Sequence, residues 1–482
     1  MKIQVNQDFP IKVYFPLEGA ELDMLGETTR AYVTGERAYK AEAKSVYAEL
    51  GPNSENVLLV GLGKLEDLSI NDLREAAHKA AGVLNANKVK QASVIAPELK
   101  GFCTRRIEKA IAEGFLQSEY AFDAYLTKKS ECSLEAVGYL APADKKETAG
   151  KGIEEIQNLM DGVRIARDLV NTPSIDLYPQ TLAESATSTL GDLGVEVTVL
   201  DKAQIEELGM KAFLAVAEGS DREPRFIVMK YLPEGEQVPA ITLIGKGLTY
   251  DSGGYALKPA DSMVWMKSDM AGAASVIGTM AALAKNKIQK NVVAIIAACE
   301  NMLSGRAYKN GDIVGSMKGT TIEVINTDAE GRLTLADALY YGATKVNSEC
   351  LIDIATLTGA CIVALGDEVI GAVTNDDELF GKVKKASETS GEALWQLPAP
   401  KSYEALLKGD VGDIKNSTGR PGGAITAGLF LKEFVEGKPW VHLDIAGPSF
   451  AQKPWSYYPK GATGIPVKTL YQFVVDHTIK GH

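Results

Sequence analysis

Apolar and polar positions follow two rhythms along this chain. Val57-Leu58-Leu59-Val60 is a short unbroken apolar run, the pattern of a strand buried on both faces. From Ile70 to Leu84 the apolar positions recur at helical spacing, and Ser69 with Asp72 three residues on predicts a capping box at the start. Ala92 to Ala96 returns to the strand pattern. Strand, helix and strand predict a small α/β domain over 1–150; assembly or regulation is the role expected for it. A polar stretch at 141–150 marks a boundary. The helical pattern from Ile153 to Val170 then stops before Asn171-Thr172-Pro173, which predicts a connecting helix over 151–170.

Residues 171–482 repeat the alternation on a larger scale. Ala240 to Ile244, Val292 to Ala298, Thr321 to Ile325, Leu351 to Ile354 and Val441 to Ile445 are apolar, β-rich runs. Helical patterns fall between them, at Ala273 to Lys285, Leu335 to Val346 and Ala427 to Val435. The fold class expected is α/β: a smaller N-terminal α/β domain and a larger C-terminal α/β domain around a mostly parallel central sheet. In such sheets, functional sites lie beyond the carboxyl ends of the strands.

Length and composition narrow the picture. At 482 residues the chain is too long for one compact core, which agrees with two domains. Its 45% apolar and 24% charged residues are those of a globular protein, and no apolar run reaches the roughly 18 residues of a membrane span. The opening MKIQVNQDFP lacks the basic-then-apolar order of a signal peptide, so a cytoplasmic location is expected. A net charge of -12 argues against DNA binding. Five cysteines show no CxxC spacing, and Cys299 and Cys350, near apolar runs, are expected as buried reduced thiols. There are four histidines and no HExxH, so any metal must be held mainly by carboxylates. Gly61-Leu62-Gly63-Lys64 lacks the remaining glycines of a phosphate loop and reads as a strand-exit turn.

Two segments concentrate chemistry. Gly245 to Gly254 follows the run 240–244, and Lys246, Asp251, Lys258 and Asp269 lie on it or shortly after it. Asn326-Thr-Asp-Ala-Glu-Gly-Arg332 follows the run 321–325. Asp328, Glu330 and Arg332 alternate, and an extended backbone would put all three on one face. Taken singly, such loop carboxylates also serve as solvated groups or helix caps. Together, beyond strand ends, they suggest a carboxylate-rich metal site.

The string NTDAEGRL at 326–333 resembles the signature of the leucyl, or cytosol, aminopeptidase family. KGLTYDSGG at 246–254, KSDMAGAA at 267–274, ENMLSGRAYKNGDI at 300–313, ATLTGA at 355–360, GRPGGAITAGLFL at 419–431 and HLDIAGP at 442–448 resemble further family blocks, in the same order. The resemblance implies a two-metal aminopeptidase acting on peptides, preferring leucine and other apolar N-terminal residues. It implies Asp251 and Glu330 as ligands shared by both ions, Lys246 and Asp269 at a tighter position, and Asp328 at an exchangeable one. It further implies Lys258 as the oxyanion partner, Arg332 as the holder of a proton-carrying bicarbonate, and Met266, Thr356, Gly359 and Ala446 as the side-chain pocket. A homohexamer of two stacked trimers is the assembly it implies.

Carboxylate-rich ligands suit manganese or magnesium, and mixed oxygen and nitrogen sites tolerate zinc. Mn²⁺ is the first expectation and Zn²⁺ the second. The chain departs from the family pattern at Tyr250, Leu303, Asn310, Ser174-Ile175 and Ser449. None of these is an implied ligand, though Ser449 bears on side-chain preference. A DNA-binding role, a catalytically dead relative and a dinuclear phosphatase are the competing readings. The first is opposed by charge, the second by the intact set of charged residues, and the third by the scarcity of histidine.

Overall fold

The computed structural model describes residues 1–51 and 54–477. The chain forms two compact units, Met1–Met160 with Pro454–Tyr458, and Asp161–Lys453 with the segment from Pro459 onward.

In the first unit, six strands lie in the order Lys2–Val5, Ala136–Leu140, Gln91–Ile95, Lys12–Tyr14, Val57–Val60, Val46–Glu49. All pairings are parallel except the last. Val57–Val60 is buried throughout, as its unbroken apolar run predicts. The helix Ile70–Ala86 starts at the expected capping box: Ser69 Oγ accepts from Asp72 N, and Asp72 Oδ2 accepts from Ser69 N at 2.8 Å. It packs against Thr104–Gln117, and the buried Arg74 Nε–Glu113 Oε2 pair, 2.6 Å apart, links the two helices. Pro454–Tyr458, far away in sequence, belongs to this unit through Ser456 Oγ, which donates to Glu75 Oε1 at 2.6 Å.

The second unit is built on an eight-stranded sheet. Its inner strands are β1 (Ala240–Asp251), β2 (Val292–Asn301), β3 (Ser348–Ala355) and β4 (Trp440–Asp444). They lie side by side in the order β4-β3-β1-β2 and are mutually parallel. Antiparallel pairings are confined to the flanks, through Glu196–Leu200, Arg225–Tyr231 and Ile370–Thr374. From β1 the chain crosses to β2 on one side and then to β3 on the other, so the order reverses at β1. Such a switch point opens a crevice at the strand ends. Helix α1 (Ala271–Lys285) joins β1 to β2, and α2 (Gly331–Lys345) precedes β3. α1 is buried on every side except at Lys285, which explains its lack of a polar face.

Two strand expectations need correction. β1 and β2 run past Ile244 and Ala298 to Asp251 and Asn301, which pair with each other. Gly245, Lys246, Gly247 and Thr249 break the apolar rhythm there, while the backbone ladder continues. The run 321–325 is not part of the central sheet. Ile322–Glu323 alone is strand, in a separate sheet with Ile313–Val314 and Ile414–Lys415. Ile325 is 47% exposed, so the apolar run ends at the surface rather than in the core.

Cys299 and Cys350 are buried free thiols, as is Cys361. Among the described residues, no helix is long and apolar enough to cross a membrane.

Candidate functional site

The parallel strands bring chemistry-bearing residues to one edge of the sheet. Asp251 ends β1, Asn301 ends β2, Thr356 follows β3, and Asp444 ends β4. Lys246 leaves β1 earlier, on the first residue past the last pairing with β3, which is Gly245 with Ile354. Two helices begin at the same edge. Asp269 stands two residues before α1, and Glu330 is the residue before α2.

Asp328, Glu330 and Arg332 are not extended, which overturns the one-face alternation. Asp328 lies in a turn, Glu330 already has helical backbone angles, and Arg332 sits in the first turn of α2. The turn, not a strand pleat, draws Asp328 and Glu330 together. Close packing fixes their neighbours. A Cβ on Gly331 would stand 2.5 Å from Lys246 Cε, so a larger residue would expel that lysine. Gly253 takes φ +84, and a Cβ there would stand 2.8 Å from Asp328 Oδ1.

Oxygens of Asp251, Asp328 and Glu330 lie within 4.8 Å of one another. Two ammonium groups bridge the acids. Lys246 Nζ is 2.8 Å from Asp269 Oδ2 and 2.8 Å from Glu330 Oε1, and donates to Thr356 O at 3.0 Å. Lys258 Nζ is 2.8 Å from Asp251 Oδ2 and also pairs with Asp328. Thr356 Oγ1 donates to Asp269 Oδ1 at 2.7 Å. Glu330 Oε2 is buried without a hydrogen-bond partner among the described residues. A buried carboxylate oxygen left so is costly unless a cation reaches it, so this donor set fits a divalent metal.

The charges respond to this crowding. Burial, then the neighbouring acids Glu330 and Asp269, push the Asp251 carboxyl up to about 8. Burial lifts Asp269 to about 6, against the pull of Lys246. For Glu330 the burial effect is outweighed by Lys246 and Lys258, and its carboxyl is held below the usual range. Burial alone would discharge Lys246, but Asp269, Glu330 and Asp251 hold it charged in the metal-free protein. Burial lowers Arg332 to about 10, leaving it a cation at neutral pH. Its Nη1 donates to Asn416 O at 2.7 Å, and its buried Nε has no hydrogen-bond partner among the described residues.

Lys246, Asp251, Lys258, Met266, Asp269, Asp328, Glu330, Arg332, Thr356, Gly359 and Ala446 all line one cavity of about 1010 Å³. Ser449 is buried and does not line it. Sequence reasoning missed the residues that steady this wall. Asn301 Nδ2 donates to Asp251 Oδ1 at 2.8 Å and to Thr327 O at 3.0 Å, tying β1 to the Asp328 turn. Asp444 accepts from Thr358 Oγ1 at 2.7 Å and from Leu357 N at 3.2 Å, holding the loop after β3. Both lie in motif blocks, at strand ends, which was the available signal. His442 pairs with Asp353 at 2.6 Å inside the sheet and does not line the cavity.

Comparison with known proteins gives the same direction over the whole chain. The catalytic-domain model of the cytosol aminopeptidase family matches residues 164–471, and the family's N-terminal-domain model matches residues 32–129. A probable cytosol aminopeptidase of Clostridium tetani is 48% identical over 472 residues, 98% of each chain. A probable cytosol aminopeptidase of Treponema denticola is 47% identical, over 94% of each chain. Among solved structures, a mutant of tomato leucine aminopeptidase superposes with a TM-score of 0.87 at 33% identity, over 99% of this chain and 97% of its own. The bottromycin maturation enzyme BotP, in complex with Mn, gives 0.86 at 32% identity, over 97% of this chain and 99% of its own. With both family domains matched in order and relatives aligned nearly end to end, the chain belongs to the cytosol aminopeptidase family and is a metallo-aminopeptidase.

Proposed function

We propose that the protein removes N-terminal residues from peptides, leucine and other apolar residues first, with two divalent metal ions held by the acidic cluster. The observation that carries this reading is the convergence of Asp251, Asp328 and Glu330 oxygens within 4.8 Å, beside the orphaned Glu330 Oε2. Asp251 and Glu330 would be shared by both ions, with Lys246 and Asp269 at one position and Asp328 at the other. Bound there, such ions would supply Lewis-acid polarisation of the scissile carbonyl and would lower the pKa of an attacking water towards neutrality.

The chain's own groups supply the rest. An ammonium has no lone pair, so Lys246 must lose its proton to act as a ligand, and neighbouring positive charge favours that loss. Lys258, on the cavity wall, stabilises the negative charge that develops on the carbonyl oxygen. Arg332 keeps its proton and is no general base. Its Nε–H, without a partner among the described residues, supports an anion at that point, and the family resemblance makes bicarbonate the choice.

Met266, Thr356, Gly359 and Ala446 present no formal charge to a substrate side chain. A Leu or Met side chain gains about 1.5–3 kcal/mol on full burial, whereas Asp or Glu would be buried without a partner. The leucine aminopeptidase activity of the tomato relative supports leucine, and the Mn of the BotP complex, with the oxygen-rich donors, supports Mn²⁺ over Zn²⁺. The homohexamer is carried from the resemblance, and the names of the cytosol aminopeptidase relatives support a cytoplasmic location. Sedimentation tests the first, and an active monomer would refute it.

The test of function is leucyl-amide hydrolysis after chelation and re-addition of Mn²⁺, Zn²⁺, Co²⁺ or Mg²⁺. Chelation should abolish turnover and one of these ions restore it. Turnover unaffected by chelation, or equal cleavage of N-acetyl-leucyl amide, would overturn the reading.

A further inference from the structure

The cavity extends well past the acidic cluster. At about 1010 Å³ it is at the top of the roughly 300–1,000 Å³ range of small-molecule sites, with room for more than one residue of a peptide. Four basic side chains line it. Lys246 and Lys258 each bridge carboxylates, and Arg332 is buried against Asn416 O. The fourth, Arg420, is exposed and makes no hydrogen bond or ion pair with any described residue.

Its place in the fold is defined. Arg420 stands in a turn between Gly419, φ +88, and Gly422, φ +63. A Cβ on Gly423 would lie 3.2 Å from Ala360 Cβ, so the turn abuts the helix Gly359–Leu365, whose first residue is the pocket residue Gly359.

A peptide that places its amine at the cluster carries its other terminal charge on the C-terminal carboxylate. Two or three extended residues span at most about 7–11 Å, so in a di- or tripeptide that carboxylate lies close to the site. The Arg420 guanidinium stands on the same cavity wall, and its planar fork matches a carboxylate. We propose that Arg420 binds the C-terminal carboxylate of short substrates, making di- and tripeptides with a free carboxylate the preferred class. This rests on the aminopeptidase reading.

The test compares kcat/KM for Leu-Gly and Leu-Gly-Gly with those of their C-terminal amides, in wild type, Arg420→Gln and Arg420→Glu. For the better-fitting length, wild type should favour the free acid about three- to ten-fold, mainly through KM. Arg420→Gln should bring the ratio to about one, and Arg420→Glu should push it below one. In wild type the preference should also fade with added salt, which needs no substitution. An unchanged ratio in both variants, or no preference in wild type while all four peptides are cleaved, overturns the carboxylate assignment alone. Failure to cleave any of them overturns the aminopeptidase reading, and this proposal with it.

Discussion

Lys246 and Lys258 bridge the same acidic cluster from opposite surroundings. At the Lys246 end the side chains are closed off: 3% exposed for the lysine, 6% for Asp269 and 2% for Glu330. At the Lys258 end the lysine is 14% exposed and Asp328 is 32% exposed. The closed end is assembled from β1, the start of α1, the start of α2 and the loop after β3. The open end rests on two loops. A group that must bind tightly gains from the first arrangement, and a group that must meet substrate, or exchange, gains from the second. The two ends share Asp251 and Glu330, and the proposed roles follow this division.

The largest effect should come from the shared residues. Asp251→Ala and Glu330→Ala should each lower kcat/KM by about a thousand-fold or more and remove both metal equivalents, read by metal analysis of the purified variants. A variant that keeps two tightly held ions and normal turnover would erase the distinction between shared and unshared acids.

Next comes the open-end lysine. Lys258→Ala should cut kcat by about 10²–10³-fold with both metals retained, as loss of a transition-state contact does. A rise in KM alone would contradict its oxyanion role. Asp328→Ala should then weaken one metal equivalent by more than about ten-fold and leave the other, with much of the rate recovered at high Mn²⁺. Loss of both ions together would show that the two ends do not bind independently.

The smallest effect is on stability. Asp251 and Asp269 titrate near 8 and 6 in the metal-free fold, above their ordinary value of 3.8. A raised carboxyl pKa means the folded state binds protons that the unfolded chain has released. These two groups therefore subtract stability as pH rises from about 4 to about 8. Metal must displace the same protons, so it binds more tightly over that window. The difference in Tm between metal-loaded and metal-free protein should widen by some degrees from pH 5 to pH 8. A constant difference would contradict a protonated, metal-free cluster.

The sequence made parts of this visible for physical reasons. Val57–Val60 and the Ser69–Asp72 capping box are local patterns, and local geometry decided them. The ends of β1 and β2 were hidden because glycines and polar residues interrupt the apolar rhythm while backbone pairing continues to Asp251 and Asn301. Asp328 and Glu330 do converge, yet by a turn into α2 rather than by strand alternation. Met266, Thr356, Gly359 and Ala446 carry no chemical signal of their own and were reached through ordered motif resemblance. Asn301, Asn416 and Asp444 act by hydrogen bonds to distant segments, and Arg420 makes none with any described residue, so three-dimensional contact was needed to find them.

Two metal ions sharing Asp251 and Glu330 would be seen directly in a crystal. Anomalous scattering from crystals grown with Mn²⁺ tests that sharing most directly. Two peaks are expected, each beside both Asp251 and Glu330, one also next to Lys246 and Asp269 and the other next to Asp328. A single peak, or peaks away from these side chains, would contradict it.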